Sequence, residues 1–229
     1  MEVIHATGIE GARQARGIAV VIDVLRSFTV SAYALAGGAR ECLLVTTTDQ
    51  ARALAATIPG ALLSAEENAL PLPGIAISNS PTQISAADLS GRVLVQRSSA
   101  GTQVAAAVAP GVDIFAASLV VARATAQACL LRRPARLTLI ASADHPEDHA
   151  CAFYVEAIIR GERPDAHRLL QPLRDSERYA RVMSGNWPGF PPTDLELALT
   201  PDRFAFAMPI TREAAYLRLT KADQPAVNG

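Results

Sequence analysis

Asp23 and Arg26 close the run Val20-Val-Ile-Asp-Val-Leu-Arg26, a carboxylate and a guanidinium where an apolar stretch gives way to a helical one. A second apolar run, Val93-Leu-Val-Gln-Arg97, breaks in the same way into Ser98-Ser-Ala-Gly-Thr102. Hydroxyls, a glycine and Arg97 at a helix entrance suit an oxyanion, because the first N–H groups of a helix are unpaired and its dipole is positive there. Carboxylates at strand ends suit a hard divalent cation, which takes oxygen ligands. Glu66-Glu67-Asn68 supplies two such carboxylates. Plainer readings exist: an Asp23–Arg26 surface ion pair, one of Glu66 and Glu67 as the cap of a turn, and Ser78-Asn79-Ser80-Pro81 as ordinary turn chemistry. Against the first, five of the seven residues from 20 to 26 are apolar, which places the carboxylate at a sheet's carboxyl edge and not on a solvated face.

Several other chemistries are excluded by pattern. There is no Gly-Lys-Ser/Thr phosphate loop and no Gly-x-Ser-x-Gly nucleophile elbow. No cysteine is followed by arginine six positions on, and Asp23-Val-Leu25 lacks the second aspartate of an Asp-x-Asp nucleophile. His145-Pro-Glu-Asp-His149 has histidines four apart, but the zincin pattern puts glutamate directly after the first histidine, where this chain has Pro146. Pro146 suits the first position of a helix, with Glu147 and Asp148 as favourable first-turn acids.

The elements that must position these groups alternate. Apolar runs predict strands near 18–24, 41–46, 61–64, 92–96, 112–117 and 136–142, with helices at 29–37, 49–57, 102–109, 120–132 and 147–160. Asp49 is expected to cap the second helix. This alternation predicts an α/β fold with a mainly parallel sheet in three α/β/α layers. An offset of 73 residues sets Thr29 against Thr102 and Gly38 against Gly111, so the chain reads as two similar intertwined βαβ units, or as two βα units that merely look alike. The expected organisation is a first unit over 1–90, a second over 91–220 with a C-terminal excursion, and a flexible tail over 221–229. Within the excursion, helical signal is confined to about 174–184, and the sole tryptophan, Trp187, marks a turn-rich stretch that must pack on the body.

Composition narrows the partners. A formal charge of −1 gives no electrostatic footprint for nucleic acid or an anionic membrane, and no apolar run reaches membrane-spanning length. Cys42, Cys129 and Cys151 are odd in number and sit in apolar surroundings, as expected of buried free thiols in a reducing cytoplasm.

Taken in order, Val21-Ile-Asp-Val-Leu-Arg26, Asn79-Ser-Pro81, Gly101-Thr102, Glu147-Asp148, Asp194-Leu195 and Asp202-Arg-Phe204 resemble the 2-phosphosulfolactate phosphatase family. The resemblance runs from about 18 to 210. It implies an Mg²⁺-dependent phosphatase of two intertwined α/β units that releases phosphate from 2-phospho-3-sulfolactate, a step toward coenzyme M. The chain departs from the family's Gly-Glu-Arg-Gly-Gly at Ala65-Glu-Glu-Asn-Ala69, from its Thr-rich run ending Asn-Gly-Thr at Arg97-Ser-Ser-Ala-Gly-Thr102, and from a later asparagine at Val121. With this resemblance, Asp23, Glu66 and Asp148 are expected to hold the metal. Arg26, Ser99, Gly101 and Thr102 would cradle the phosphate, with Asn79 and Ser80 also on the substrate. Arg97 would meet a second anionic group, and Glu147 would serve as a base. The expected partner is a small phosphate monoester, with a homo-oligomer as a further expectation. Two other classes remain open: a non-catalytic anion-binding homologue, and a metal-dependent hydrolase acting through His145 and His149.

Overall fold

The computed structural model describes residues 1–223. The first half contains β1 (Glu2–Thr7), α1 (Gly8–Gln14), β2 (Ile18–Ile22), α2 (Ser27–Ala36), β3 (Glu41–Leu44), α3 (Thr48–Thr57), β4 (Leu62–Glu67), β5 (Leu70–Pro71) and α4 (Pro81–Ser85). Then follow β6 (Val93–Arg97), α5 (Gly101–Ala107), β7 (Asp113–Ala117), a 3₁₀ turn, α6 (Ala122–Leu131), β8 (Arg136–Ala141) and α7 (Pro146–Ile159). The excursion holds α8 (Ala166–Leu169), α9 (Gln171–Arg174), α10 (Glu177–Met183) and α11 (Thr193–Ala198). The chain closes with β9 (Phe206–Arg212), β10 (Leu217–Leu219) and β11 (Ala222–Asp223).

The strands make one mixed sheet in the order β1-β8-β2-β7-β9-β10-β3-β6-β4-β5, with β11 added to β9. Two parallel blocks, β8-β2-β7 and β4-β6-β3, are joined by the antiparallel hairpin of β9 and β10. Each block has the same recipe. The first strand of one repeat (β2 or β6) lies between the second and third strands of the other (β7 and β8, or β3 and β4). Matching elements are offset by 72 to 75 residues, and Gly38 and Gly111 both take left-handed φ, 98° and 83°, after the matching helices. The repeat is therefore interleaved, and segments 1–90 and 91–220 share one sheet.

Period-two burial sorts the core. Val20, Ile22, Phe115 and Leu139 point to one side of the first block, under α6 and α7, together with Leu170, Leu173 and Phe190 of the excursion. Leu43, Val93 and Val95 face α3 on the same side of the second block. The other side of both blocks shares one cluster with α2 and α5, where Val21, Ile114, Cys42 and Leu94 meet Phe28, Val30 and Val104. Helix α2 is buried from Ser27 through Leu35 because it crosses between the blocks, which explains its nearly all-round apolar sequence.

Differences from the sequence reading have local causes. Helix α3 is capped by Thr47, not Asp49: the Thr47 hydroxyl accepts from the Gln50 N–H, and the Gln50 side chain accepts from the Thr47 N–H. The excursion carries four short helices, not one, because Asp165 and Ser176 each cap a turn too brief to show periodicity. The tail expected to fray from 221 begins as a strand, with Ala222 and Asp223 paired to Ala207 and Phe206; residues 224–229 lie outside the described residues. Among the described residues no helix is long and apolar enough to cross a membrane.

All three cysteines are free and buried. Burial pushes the Cys129 thiol up to about 12 and raises Cys42 and Cys151 as well. Ellman's reagent should therefore label the native protein slowly and all three thiols rapidly in denaturant. Rapid labelling of any one in the folded protein would contradict this packing.

Candidate active site

The carboxyl ends of the two parallel blocks converge on a cavity of about 200 Å³. Asp23, Leu25, Arg26, Ser142, His145 and Asp148 line it from the first block, and Glu66, Asn68, Ala69, Ser99 and Ala100 from the second. Asn79 enters from the loop before α4, and Arg178 and Trp187 from the excursion.

Asp23 follows β2 directly. Its Oδ1 accepts the Ser27 N–H and its Oδ2 the Gly101 N–H, both at 2.9 Å. These donors are the first residues of α2 and α5, so two helix N-termini meet on one carboxylate. The contact explains Gly101: a Cβ there would lie 2.6 Å from Asp23 Oδ2 and 3.0 Å from Ser27 Cβ. Burial nevertheless dominates, raising Asp23 to about 6; the two N–H groups pull it down and the Glu66 charge pushes it up. Asp148 stands beside it. Its Oδ1 accepts the Val24 N–H at 2.8 Å and its Oδ2 the Ser142 hydroxyl at 2.9 Å. Burial first, then the charges of Asp23 and Glu147, hold Asp148 well above the carboxylate range.

A sequence model described as 2-phosphosulpholactate phosphatase matches residues 5–184 of this chain, well over half of it. The chain belongs to that family. A protein of Bacillus subtilis named probable 2-phosphosulfolactate phosphatase is 36% identical over 63% of this chain and 64% of its own length. One of the same name from Carboxydothermus hydrogenoformans is 32% identical over 63% of this chain and 61% of its own, and one from Deinococcus radiodurans 41% identical over 37% and 35%. The chain thus spans less than two thirds of the length of these relatives.

The remaining family-motif residues take varied places. Arg26 is buried: its Nη1 donates to Asp194 Oδ2 at 2.8 Å and to Gly189 O, and its guanidinium lies 3.9 Å from the Phe190 ring centre. Its other donors have no hydrogen-bond partner among the described residues. Asn79 takes left-handed φ, and its Oδ1 accepts from Gln96 at 3.0 Å, which assigns its amide nitrogen as the free donor. Ser80 does not line the cavity; its hydroxyl donates to Asp194 Oδ1 at 2.6 Å. Thr102 is also away from the cavity, exchanging hydrogen bonds with Ser98. Glu66 spends both oxygens on its neighbours, accepting from the N–H groups of Ser99 and Ala69, each at 2.6 Å. Asn68 and Ala69 bear φ of 53° and 61° where the family pattern has glycines; a left-handed alanine costs about 1–2 kcal/mol. Arg97 is outside the lining set, its Nη1 donating to Glu66 O and to Ser99 Oγ.

Glu147 is fully buried and does not line the cavity; its Oε1 accepts from Arg178 Nε at 3.1 Å and its Oε2 has no partner among the described residues. His145 does reach the cavity, its imidazole shifted down by burial and by the Arg178 charge. His149 does not line the cavity and pairs with Asp144 at 2.9 Å. Sequence reasoning missed Arg178, Ser142 and the role of Asp194. The one signal for Arg178 was the four-and-three spacing of Arg174, Arg178 and Arg181, a helical face with no stated partner.

The close approach at Gly101 is open to test. Gly101→Ala should push Asp23 aside and lower stability by about 1–3 kcal/mol in urea unfolding. An unchanged midpoint would contradict the geometry.

Proposed function

We propose that this protein is an Mg²⁺-dependent phosphatase acting on a small phosphate monoester with a second anionic group, 2-phosphosulfolactate being the substrate its relatives' names supply. The observation that carries the reading is the Asp23–Asp148 pair. Two buried carboxylates border one cavity, both held up by burial, and the Asp23 charge raises the cost of ionising Asp148 further. A divalent cation relieves that cost, and Mg²⁺ commonly uses only one or two carboxylates, filling its shell with water and substrate phosphate. This fits the absence, among the described residues, of any group of three or more His, Cys, Asp or Glu arranged for a metal. Glu66 is given the part of holding its loop, since it ties the N–H groups of Ala69 and Ser99 together on that wall of the cavity. When bound, the cation would offset phosphate charge and polarise a phosphoryl oxygen.

This chain's own groups supply the rest. A dianionic phosphate resists attack until fixed donors neutralise it. Arg26, preset by Asp194 and Phe190, presents its free donors to the phosphate at no further ordering cost. The Asn79 amide adds a neutral donor on the same cavity. Leu25 and Trp187 limit the entry of water. Glu147, fully buried and paired with Arg178, is given a positioning part and not that of a base. A reducing cytoplasm, which the free cysteines suit, is the compartment proposed.

Asp23→Asn decides the matter. In the folded mutant, Mg²⁺-dependent phosphate release should fall roughly a hundredfold or more. Near-normal release would remove Asp23 from the chemistry, and a wild-type protein that binds phosphate esters without hydrolysing them would favour the non-catalytic reading.

A further inference from the structure

We infer that Arg178 reads the second anionic group of the substrate, and that Glu147 positions it for that task. The inference rests on the phosphatase reading above and deepens it. Among the described residues, three basic side chains line the cavity: Arg26, His145 and Arg178. Arg26 is committed to the phosphate side by its contacts with Asp194 and Gly189. His145 presents a single imidazole edge, without the planar fork that pairs both oxygens of a carboxylate or sulfonate. Arg178 is different in origin and in tether. It comes from α10, outside both repeats, and its Nε is fixed by Glu147 while its Nη2 donates to Leu25 O at 3.1 Å.

Both anchors lie on one side of the guanidinium. Nη1 has no hydrogen-bond partner among the described residues, and the side chain is 20% exposed at the cavity. Trp187 lies under it, the ring centre 5.6 Å from the guanidinium carbon, which keeps the fork from swinging out to bulk water. The Arg178 charge is felt at Asp23, Arg26 and His145, so it belongs electrostatically to the same site. The arrangement repeats the logic at Arg26: a fully buried carboxylate, Asp194 there and Glu147 here, holds one edge of a guanidinium and leaves the other for ligand. Two preset forks on a cavity of about 200 Å³ select a small molecule with two anionic ends. Arg97, the sequence-based choice for this role, does not itself line the cavity and spends its Nη1 on Glu66 O and Ser99 Oγ.

The test compares phosphoglycolate, a phosphate ester with a carboxylate, with ethyl phosphate, which has an uncharged tail. Arg178→Met should lower kcat/KM for phosphoglycolate by about 10- to 150-fold more than for ethyl phosphate, chiefly through KM. Arg178→Lys should recover part of the loss, since a point charge lacks the planar fork. Glu147→Gln should raise KM for phosphoglycolate while kcat changes little, the mark of a positioning residue. Arg97→Met should affect the two esters alike. Equal losses on both esters in Arg178→Met, or a selective loss in Arg97→Met, would overturn the assignment. If the wild-type protein hydrolyses neither ester, the phosphatase reading fails, and thermal protection decides the Arg178 assignment separately. Phosphoglycolate should then protect wild type more than ethyl phosphate does, with the difference lost in Arg178→Met; a difference that survives would overturn it.

Discussion

Asp23 receives the first N–H of two helices that hold equivalent places in the two repeats. Burying a lone carboxylate costs several kcal/mol, and these donors, with the positive ends of α2 and α5, offset only part of it. The contact requires that the helices approach closely, which makes residue 101 a glycine and packs Ser27 against it. It also ties the parallel blocks together at the point where α2 and α5 cross between them. A fold whose two halves exchange their first strands thus keeps its least comfortable charge at the crossing.

The equivalent position in the second repeat shows what has diverged. Ser98 follows β6 as Asp23 follows β2, and its hydroxyl accepts the Thr102 N–H just as Asp23 accepts that of Ser27, four residues on. The capping geometry is shared, but the charge is not. One copy closes on itself through the Ser98–Thr102 exchange, and the other places a carboxylate at the cavity. The excursion completes the asymmetry by bringing Arg178, Trp187 and Asp194 to that side. A near-symmetric frame therefore carries a cavity whose walls differ in charge.

Much of this was legible in the chain. Continuous apolar runs located the six strands of the two parallel blocks, and the strand-to-helix breaks at 22–27 and 97–101 marked the cavity's walls, because period and turn chemistry are local properties. The N-terminal proline of α7 was readable for the same reason. Three things were not. Thr102 and Ser80 carry hydroxyls suited to an anion, yet each satisfies a protein partner, and sequence does not say where a hydroxyl turns. Arg97 and Arg178 are alike as residues; only the packing of α10 against the first block decides which one faces the cavity. Strands β9 and β10 join the blocks through contacts far apart in sequence, and Pro209 obscured the first of them.

The proposed cation site at Asp23 and Asp148 asks two carboxylates to ionise where burial opposes it. Calorimetric titration of the chelator-treated protein with Mg²⁺ tests it most directly. A proton on either carboxylate competes with the metal, and burial raises both, Asp23 to about 6, so affinity should increase with pH and fall steeply as pH drops through about 6. Binding near the midpoint should release protons, seen as heats that differ between buffers of different ionisation enthalpy. Asp148→Asn should weaken binding at every pH. Tight Mg²⁺ binding that ignores pH and survives Asp148→Asn would place the cation elsewhere and contradict the account.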